Sequence, residues 1–375
     1  METQGRDKLE LKKGMKMLGW VRFISKGIGV WPLEPNLYLN NVCLAYFTYI
    51  MITEYIAMFL CLPNLKKIVN LLAESLPFTQ IYLRTLLLRI HIDKLRKVAD
   101  ECMKDYRVSA FANPEEIYIF MGYIKKGKFY VKIGASFVFA ASTSWFLRPV
   151  TSSAPMTTII PATNETPAQF IYNLPYKFHI FYGINDYPAY FLTYMSWSPF
   201  LYISCIGSIT SQIMIIALAY HVSGKLAVLA SRINALKNTK KGLRQNLAKI
   251  LSEHSRLLEM GEGIKVSFAM ALLTYLIVGT IQICIIGYHI LVIITTRQQR
   301  NLMPLFTFIL ITYFVISIYC ILKANIFFAE GLPFLPKSAA LAYLGNNNLD
   351  CATTHSWLKN THYRALSPHQ KEPIV

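Results

Sequence analysis

Tyr187–Tyr220 reads YPAYFLTYMSWSPFLYISCIGSITSQIMIIALAY and carries no charged residue from end to end. A hydrocarbon core about 30 Å thick takes roughly 20 apolar residues at about 1.5 Å rise each, so the stretch predicts a helix that crosses a bilayer and projects beyond it. Its polar content exceeds what anchoring needs. Tyr187, Tyr190, Tyr194, Ser196, Trp197 and Ser198 crowd the first third, and Ser208, Thr210, Ser211 and Gln212 follow lower down. Lipid contact at those lower positions is costly, so they must face protein or water. The upper end suggests a ligand-lined cavity; an aromatic belt at the membrane interface explains the same Tyr and Trp residues without one.

The rest of the chain agrees on the class. Hydrophobic residues make up 54% of the 375 residues, charged residues 15%, and the mean hydropathy is +0.36, values foreign to a soluble domain of this size. The net charge of +18 could suggest nucleic acid, but the basic residues sit in the gaps between apolar runs and form no aromatic-basic surface, so no nucleic-acid partner is expected. Of the seven cysteines, Cys43, Cys205, Cys284 and Cys320 fall inside apolar runs and read as small core residues. No C-x-x-C pair, H-E-x-x-H, G-x-S-x-G or phosphate loop is present, so neither a catalytic site, a metal site nor a cofactor is expected. Residues 1–31 lack the continuous apolar core of a signal peptide.

Outward from the opening stretch, apolar runs fall at Leu37–Leu62, Ile68–Ile90, Phe129–Leu147, Ile264–Thr295 and Leu302–Leu322. The second is broken by Glu74, Pro77, Gln80 and Arg84 and is the weakest, with a kink expected at Pro77. A charged segment from His91 to Lys128 reads as a solvated loop with helical ends, and Arg148–Asp186, rich in Pro, Thr, Ser and Asn, as an outer loop. His221–Gly263 places Leu243, Leu247, Ile250, Leu251, Leu257 and Leu258 at helical spacing among basic residues, which predicts an amphipathic helix. Its basic residues could also meet acidic lipid head groups.

Basic residues alternate by loop. The N-terminal segment carries seven, the second loop nine and the fourth eight, against two in each of the first, third and fifth. Short basic segments stay cytoplasmic, so the N-terminus is expected inside. The sequon Asn164-Glu165-Thr166 then lies outside, where Asn164 can accept a glycan. The expected fold is therefore an all-α, polytopic transmembrane helix bundle with a cytoplasmic N-terminus and six clear spans. Residues 331–375 form a polar tail with no apolar run of span length, poorly ordered by expectation.

The opening GIGVWP at Gly27–Pro32, the cytoplasmic N-terminus, the long outer loop before a Tyr/Pro-rich fourth span, and LAKILSEHSRLLEMGEGIKVSFAMALLTYLIVGTIQICIIGY at Leu247–Tyr288 together resemble an insect odorant receptor. The resemblance covers about residues 18–328. It implies a seven-helix, odorant-binding subunit of a ligand-gated, non-selective cation channel, assembled with a shared co-receptor as a tetramer in the plasma membrane of sensory neuron dendrites. The chain departs from that pattern after Phe328, where a final pore-lining span is expected and GLPFLPKSAALAYLGNN follows, as in a truncated or misjoined ending.

By position, the residues expected to line an odorant pocket are Phe78, Tyr82, Phe139, Ser142, Trp145, Tyr190, Tyr194 and Gln282, with dispersion against aromatic walls and one or two hydrogen bonds holding a small apolar odorant. Trp145 also fits an interfacial belt, and Ser142 a close helix contact. His254 has no second His or Cys three or four residues away and is read as a structural polar contact. Two other classes stand beside this reading. A G-protein-coupled receptor has the opposite orientation, and a secondary transporter usually shows repeats with broken spans and embedded acids, for which only Glu54 and Glu74 qualify.

Overall fold

The computed structural model describes residues 2–62, 65–151, 157–160, 169–184, 186–236 and 243–296. The sixth apolar run, Asn164 and the tail 331–375 lie outside the described residues.

The described chain is a helix bundle: α1 (Glu2–Lys26), α2 (Leu37–Leu60), α3 (Leu65–Ile90), α4 (Ile92–Lys104), a 3-10 turn (Val108–Ala110), α5 (Pro114–Phe146), the short α6 (Arg148–Thr151), α7 (Tyr187–Ser196), α8 (Ser198–Leu236) and α9 (Leu243–Thr296). An antiparallel hairpin of β1 (Thr157–Ile160) and β2 (Gln169–Tyr172), in register Thr157 to Tyr172, is an addition the all-α expectation lacked. Three stretches are long and apolar enough to cross a membrane by length and composition: Leu37–Leu60, Tyr187–Ala235 and Gln245–Ile285.

Local chemistry explains the boundaries. The GIGVWP string closes a turn between α1 and α2. Gly29 sits at φ 73, its carbonyl accepts from Asn36 N at 3.1 Å, and Val30 N returns to Ser25 O at 3.0 Å. A Cβ on Gly29 would stand 2.4 Å from Asn36 O, so the position needs both glycine's left-handed backbone and its missing side chain. Asn36 then caps α2, its Oδ1 accepting from Leu39 N at 3.0 Å, and Asn40 Nδ2 donates to Ile28 O at 3.0 Å. Pro114 opens α5 with Glu115 and Glu116 in its first turn, which suits the positive end of the helix dipole.

Three segments differ from the sequence reading. The uncharged stretch from Tyr187 is two helices, broken at Trp197, because Pro199 has no N–H to continue the ladder and the backbone tightens with Trp197 N on Tyr194 O at 3.3 Å. The segment after His91 is mostly helix rather than solvated loop. Ile92, Leu95, Val98, Ala99 and Cys102 of α4 are buried, and α5 begins fifteen residues before the apolar run at Phe129. Finally, the amphipathic helix and the fifth span are one continuous helix, α9, of 54 residues.

The broadest helix contact is between α5 and α8, followed by those α9 makes with α3 and α8. Gly127 permits it: a Cβ there would stand 2.9 Å from Tyr220 Cβ. The core falls into two clusters. One, between α1, α4, α5, α8 and α9, centres on Met17, Phe120, Ile213 and Leu257. The other joins Ile28, α2, α7 and the top of α8 to the loop residues Tyr176 and Phe178, whose rings stack at 5.0 Å and meet Phe200 edge-on. Residues of the outer loop therefore fold down into the bundle.

Candidate functional site

Between α3, α5, α8 and α9 lies a cavity of about 120 Å³. Helical periodicity builds its walls. On α3 the lining residues Glu74, Pro77, Phe78, Gln80, Ile81 and Arg84 recur at three and four. α5 contributes Val138, Ala141, Ser142 and Trp145; α8 contributes Ser204, Ser208 and Gln212; α9 contributes Tyr275 and Gln282; and Tyr176 comes from the outer loop. The polar breaks that made α3 a poor span in hydropathy terms are the residues turned to the cavity. Among them Arg84 is 1% exposed and Glu74 6%.

Chain direction orders the cavity into two ends. α3 and α8 run one way and α5 and α9 the other in the alternation of spans, so Glu74, Phe78, Trp145, Ser204 and Gln282 gather toward one end and Arg84, Gln212 and Tyr275 toward the other. The second end is knit internally. Gln212 Nε2 donates to the Tyr275 hydroxyl at 2.8 Å, Arg84 Nη2 to Ser208 Oγ at 3.4 Å, and Arg84 Nε to Gln80 O at 3.3 Å. The Arg84 guanidinium lies 4.1 Å over the Tyr275 ring. Around the first end Phe78 packs edge-on against Phe200 at 4.8 Å and Tyr176 at 5.6 Å.

Of the eight residues expected in a pocket, Phe78, Ser142, Trp145 and Gln282 line this cavity. The other four are placed elsewhere. Phe139 is 64% exposed, because the residue after Val138 points about 100° around α5. Tyr82 packs against Phe47 and its hydroxyl lies 3.0 Å from Thr48 Oγ1 of α2. Tyr190 donates to Asn173 O at 3.1 Å and Tyr194 to Phe146 O at 2.5 Å, so both hydroxyls tie α7 to its surroundings. Sequence reasoning missed Glu74, Gln80, Arg84, Tyr176, Ser208 and Tyr275. The signal for most was present, since a charged or amide residue inside an apolar run must turn from lipid.

A second polar cluster sits at the other end of α8, where Asp105, Glu101, Glu116 and Glu253 meet His221, Lys225, Arg232 and Arg256. Asp105 accepts from Arg256 Nη2 at 2.7 Å and lies 3.0 Å from His221 Nε2 and 3.7 Å from Lys225 Nζ. Lys225, with no exposed side-chain surface, lies 3.0 Å from Glu253 Oε1 and 4.7 Å over the Phe111 ring. Arg232 grips Glu116 with two N–H groups at 2.9 and 2.8 Å and also pairs with Glu253. Burial pushes the Asp105 carboxyl upward, but the His221 hydrogen bond and the charges of His221, Lys225 and Arg256 outweigh it and hold it below the usual range. His254 is 3% exposed and its Nε2 has no hydrogen-bond partner among the described residues, so the polar contact expected of it is not made there. No three His, Cys, Asp or Glu side chains gather for a metal among the described residues.

An intramembrane cavity between helices, walled by aromatic rings with a few polar groups, is the geometry of a small-molecule receptor. The profile of the 7tm odorant receptor family matches residues 81–326. The chain belongs to that family. A search of curated proteins finds no match. Among solved structures, the receptor is similar to the insect olfactory receptor OR5 from Machilis hrabei, with TM-score 0.67, 16% identity, and coverage of 96% of this chain and 91% of that one. It is likewise similar to the same protein in complex with eugenol, with TM-score 0.69, 14% identity, and coverage of 95% and 91%. At such identities the likeness speaks for the fold, which is that of the insect receptor helical bundle. The protein is an odorant receptor and not an enzyme.

Proposed function

We propose that this receptor is the odorant-binding subunit of a ligand-gated, non-selective cation channel that works with a shared co-receptor as a hetero-oligomer, and that the odorant binds in the cavity between α3, α5, α8 and α9. The observation that carries the reading is the cavity itself: about 120 Å³, walled by Phe78, Trp145, Tyr176 and Tyr275, with polar side chains on every wall. A site of that build suits a small, mostly apolar molecule held by dispersion and few hydrogen bonds. The similar receptor solved with eugenol supports small-molecule binding in this fold. Residues 1–330 act in this reading as the bundle, with the N-terminus cytoplasmic and Asn164 outside and open to glycosylation. The membrane is the plasma membrane of sensory dendrites.

The test is electrical. Cells expressing the chain with the co-receptor should give odorant-evoked current that persists when intracellular GTP is removed. A response abolished without GTP would replace the channel with a G-protein-coupled mechanism, and accumulation of radiolabelled ligand inside cells would indicate a transporter.

A further inference from the structure

We propose that this cavity selects odorants bearing a carbonyl oxygen, a small ketone or aldehyde, and that the indole N–H of Trp145 is the group that reads it. The inference rests on the cavity being the odorant site.

Size limits the ligand first. An apolar cavity of about 150 Å³ takes benzene, so a space of about 120 Å³ admits a single small ring or a chain of similar bulk. What remains is to ask which polar wall group has use for a ligand atom. The Arg84 end is occupied with itself: the guanidinium donates to Gln80 O and Ser208 Oγ and stacks on Tyr275, whose hydroxyl accepts from Gln212. Trp145 differs. Its Nε1 is buried and has no hydrogen-bond partner among the described residues. An indole N–H is a donor and nothing else, so the group that satisfies it must be an acceptor. A buried donor left unmade costs the full desolvation of that group, and a ligand that supplies the acceptor recovers it. The surroundings fit the rest of such a molecule, since Phe78, Pro77, Val138 and Ala141 offer apolar surface beside the indole. A carbonyl compound presents one acceptor oxygen on an apolar body. A hydrocarbon of the same shape leaves the N–H unpaired, and an ammonium sets donor against donor.

Three ring compounds of matched size separate these cases: cyclohexanone, methylcyclohexane and cyclohexylamine, each tested by equilibrium dialysis against the purified full chain in nanodiscs and against nanodiscs without protein. Cyclohexanone should bind about tenfold more tightly than methylcyclohexane, a difference of about 1.4 kcal/mol. Trp145→Phe keeps an aromatic ring and removes the donor, so it should bring the ketone to within about twofold of the hydrocarbon while leaving the hydrocarbon unchanged. Ketone and hydrocarbon binding equally to the unaltered chain would overturn the inference without touching the cavity reading, and needs no variant to fold. A ketone preference that survives Trp145→Phe would place the oxygen on another group and overturn it as well. Cyclohexylamine binding best would show that Glu74 rules the site instead. If none of the three binds, or if Val138→Trp, which fills the cavity, leaves binding intact in a monodisperse protein, the cavity reading falls together with the inference.

Discussion

Replacing Asp105 by Asn should destabilise the receptor far more than replacing Asp100, five residues earlier on the same segment. Asp105 is 3% exposed and faces three cationic groups: Arg256 at 2.7 Å, His221 at 3.0 Å and Lys225 at 3.7 Å. Removing one partner from a buried ion pair costs about 3–5 kcal/mol because the other charge is left uncompensated. Lys225 keeps Glu253 at 3.0 Å and Arg256 keeps Glu101 at 2.9 Å, which argues for the lower end, about 3 kcal/mol. Asp100 pairs with Lys104 at 2.8 Å, but both side chains are about half exposed, and such pairs contribute about 0–1 kcal/mol. A difference of about 2–3 kcal/mol is roughly a 30- to 150-fold change in the folding equilibrium. Detergent-solubilised receptor, heated in steps and followed by size-exclusion of the remaining monodisperse fraction, reads that order directly. Equal midpoints for Asp105→Asn and Asp100→Asn would refute the claim that this cluster holds α4, α8 and α9 together. The acid response carries the sign. Because the folded carboxyl of Asp105 titrates below its unfolded value, its contribution is complete above about pH 4 and is lost as pH falls through the folded value. Glu116 acts in the same direction: burial raises it, while Arg232 and the Ala112 N–H lower it further. The unaltered receptor should therefore lose stability steeply below about pH 4, and Asp105→Asn should show a shallower fall.

Gly29→Ala forces a Cβ to 2.4 Å from Asn36 O at a positive φ, so it should lower folded yield by opening the turn between α1 and α2, read as loss of the monodisperse peak. Phe78→Ala removes a cavity wall; losing a buried aromatic contact is worth about 1.5–3 kcal/mol, so odorant sensitivity should fall by about tenfold or more at equal surface expression. Tyr194→Phe deletes only the hydroxyl that holds Phe146 O and should leave the order of odorant preference unchanged. A tag at Met1 should meet antibody only after permeabilisation, and Asn164→Gln should abolish any glycosidase-sensitive shift in apparent mass; surface staining of intact cells at Met1 would reverse the proposed orientation.

The basic residues show how far composition reaches. Counted by loop, they give an orientation, and counting was all the sequence allowed. Lys225, Arg232 and Arg256 belong to the basic fourth loop in that count, yet each finds acids on other elements: Arg232 reaches Glu116 across 116 positions of chain and Arg256 reaches Glu101 across 155. No local pattern announces such pairs, because the partners meet only once α4, α5, α8 and α9 have packed. The same holds for Tyr176 and Phe178, which lie in a loop of polar composition and become core only by stacking on each other above Phe200. By contrast, the break after Ser196 was readable, since Pro199 withholds an N–H wherever it stands.

For the cavity, the lesson is about which residue types point inward within an apolar bilayer. An aromatic ring is at home against lipid, so Phe139, 64% exposed, says nothing of a pocket although it neighbours Val138, which lines one. A charged or amide side chain has no such freedom: facing hydrocarbon costs about 2.5–3.5 kcal/mol for an arginine at mid-span, so the helix turns it to protein. Glu74, Gln80 and Arg84 obey this on α3, and Ser204, Ser208 and Gln212 recur every fourth residue on α8. The segment that hydropathy ranks as the poorest span is thus a main wall of the site. Its failure as a membrane anchor and its place at the cavity have one physical cause.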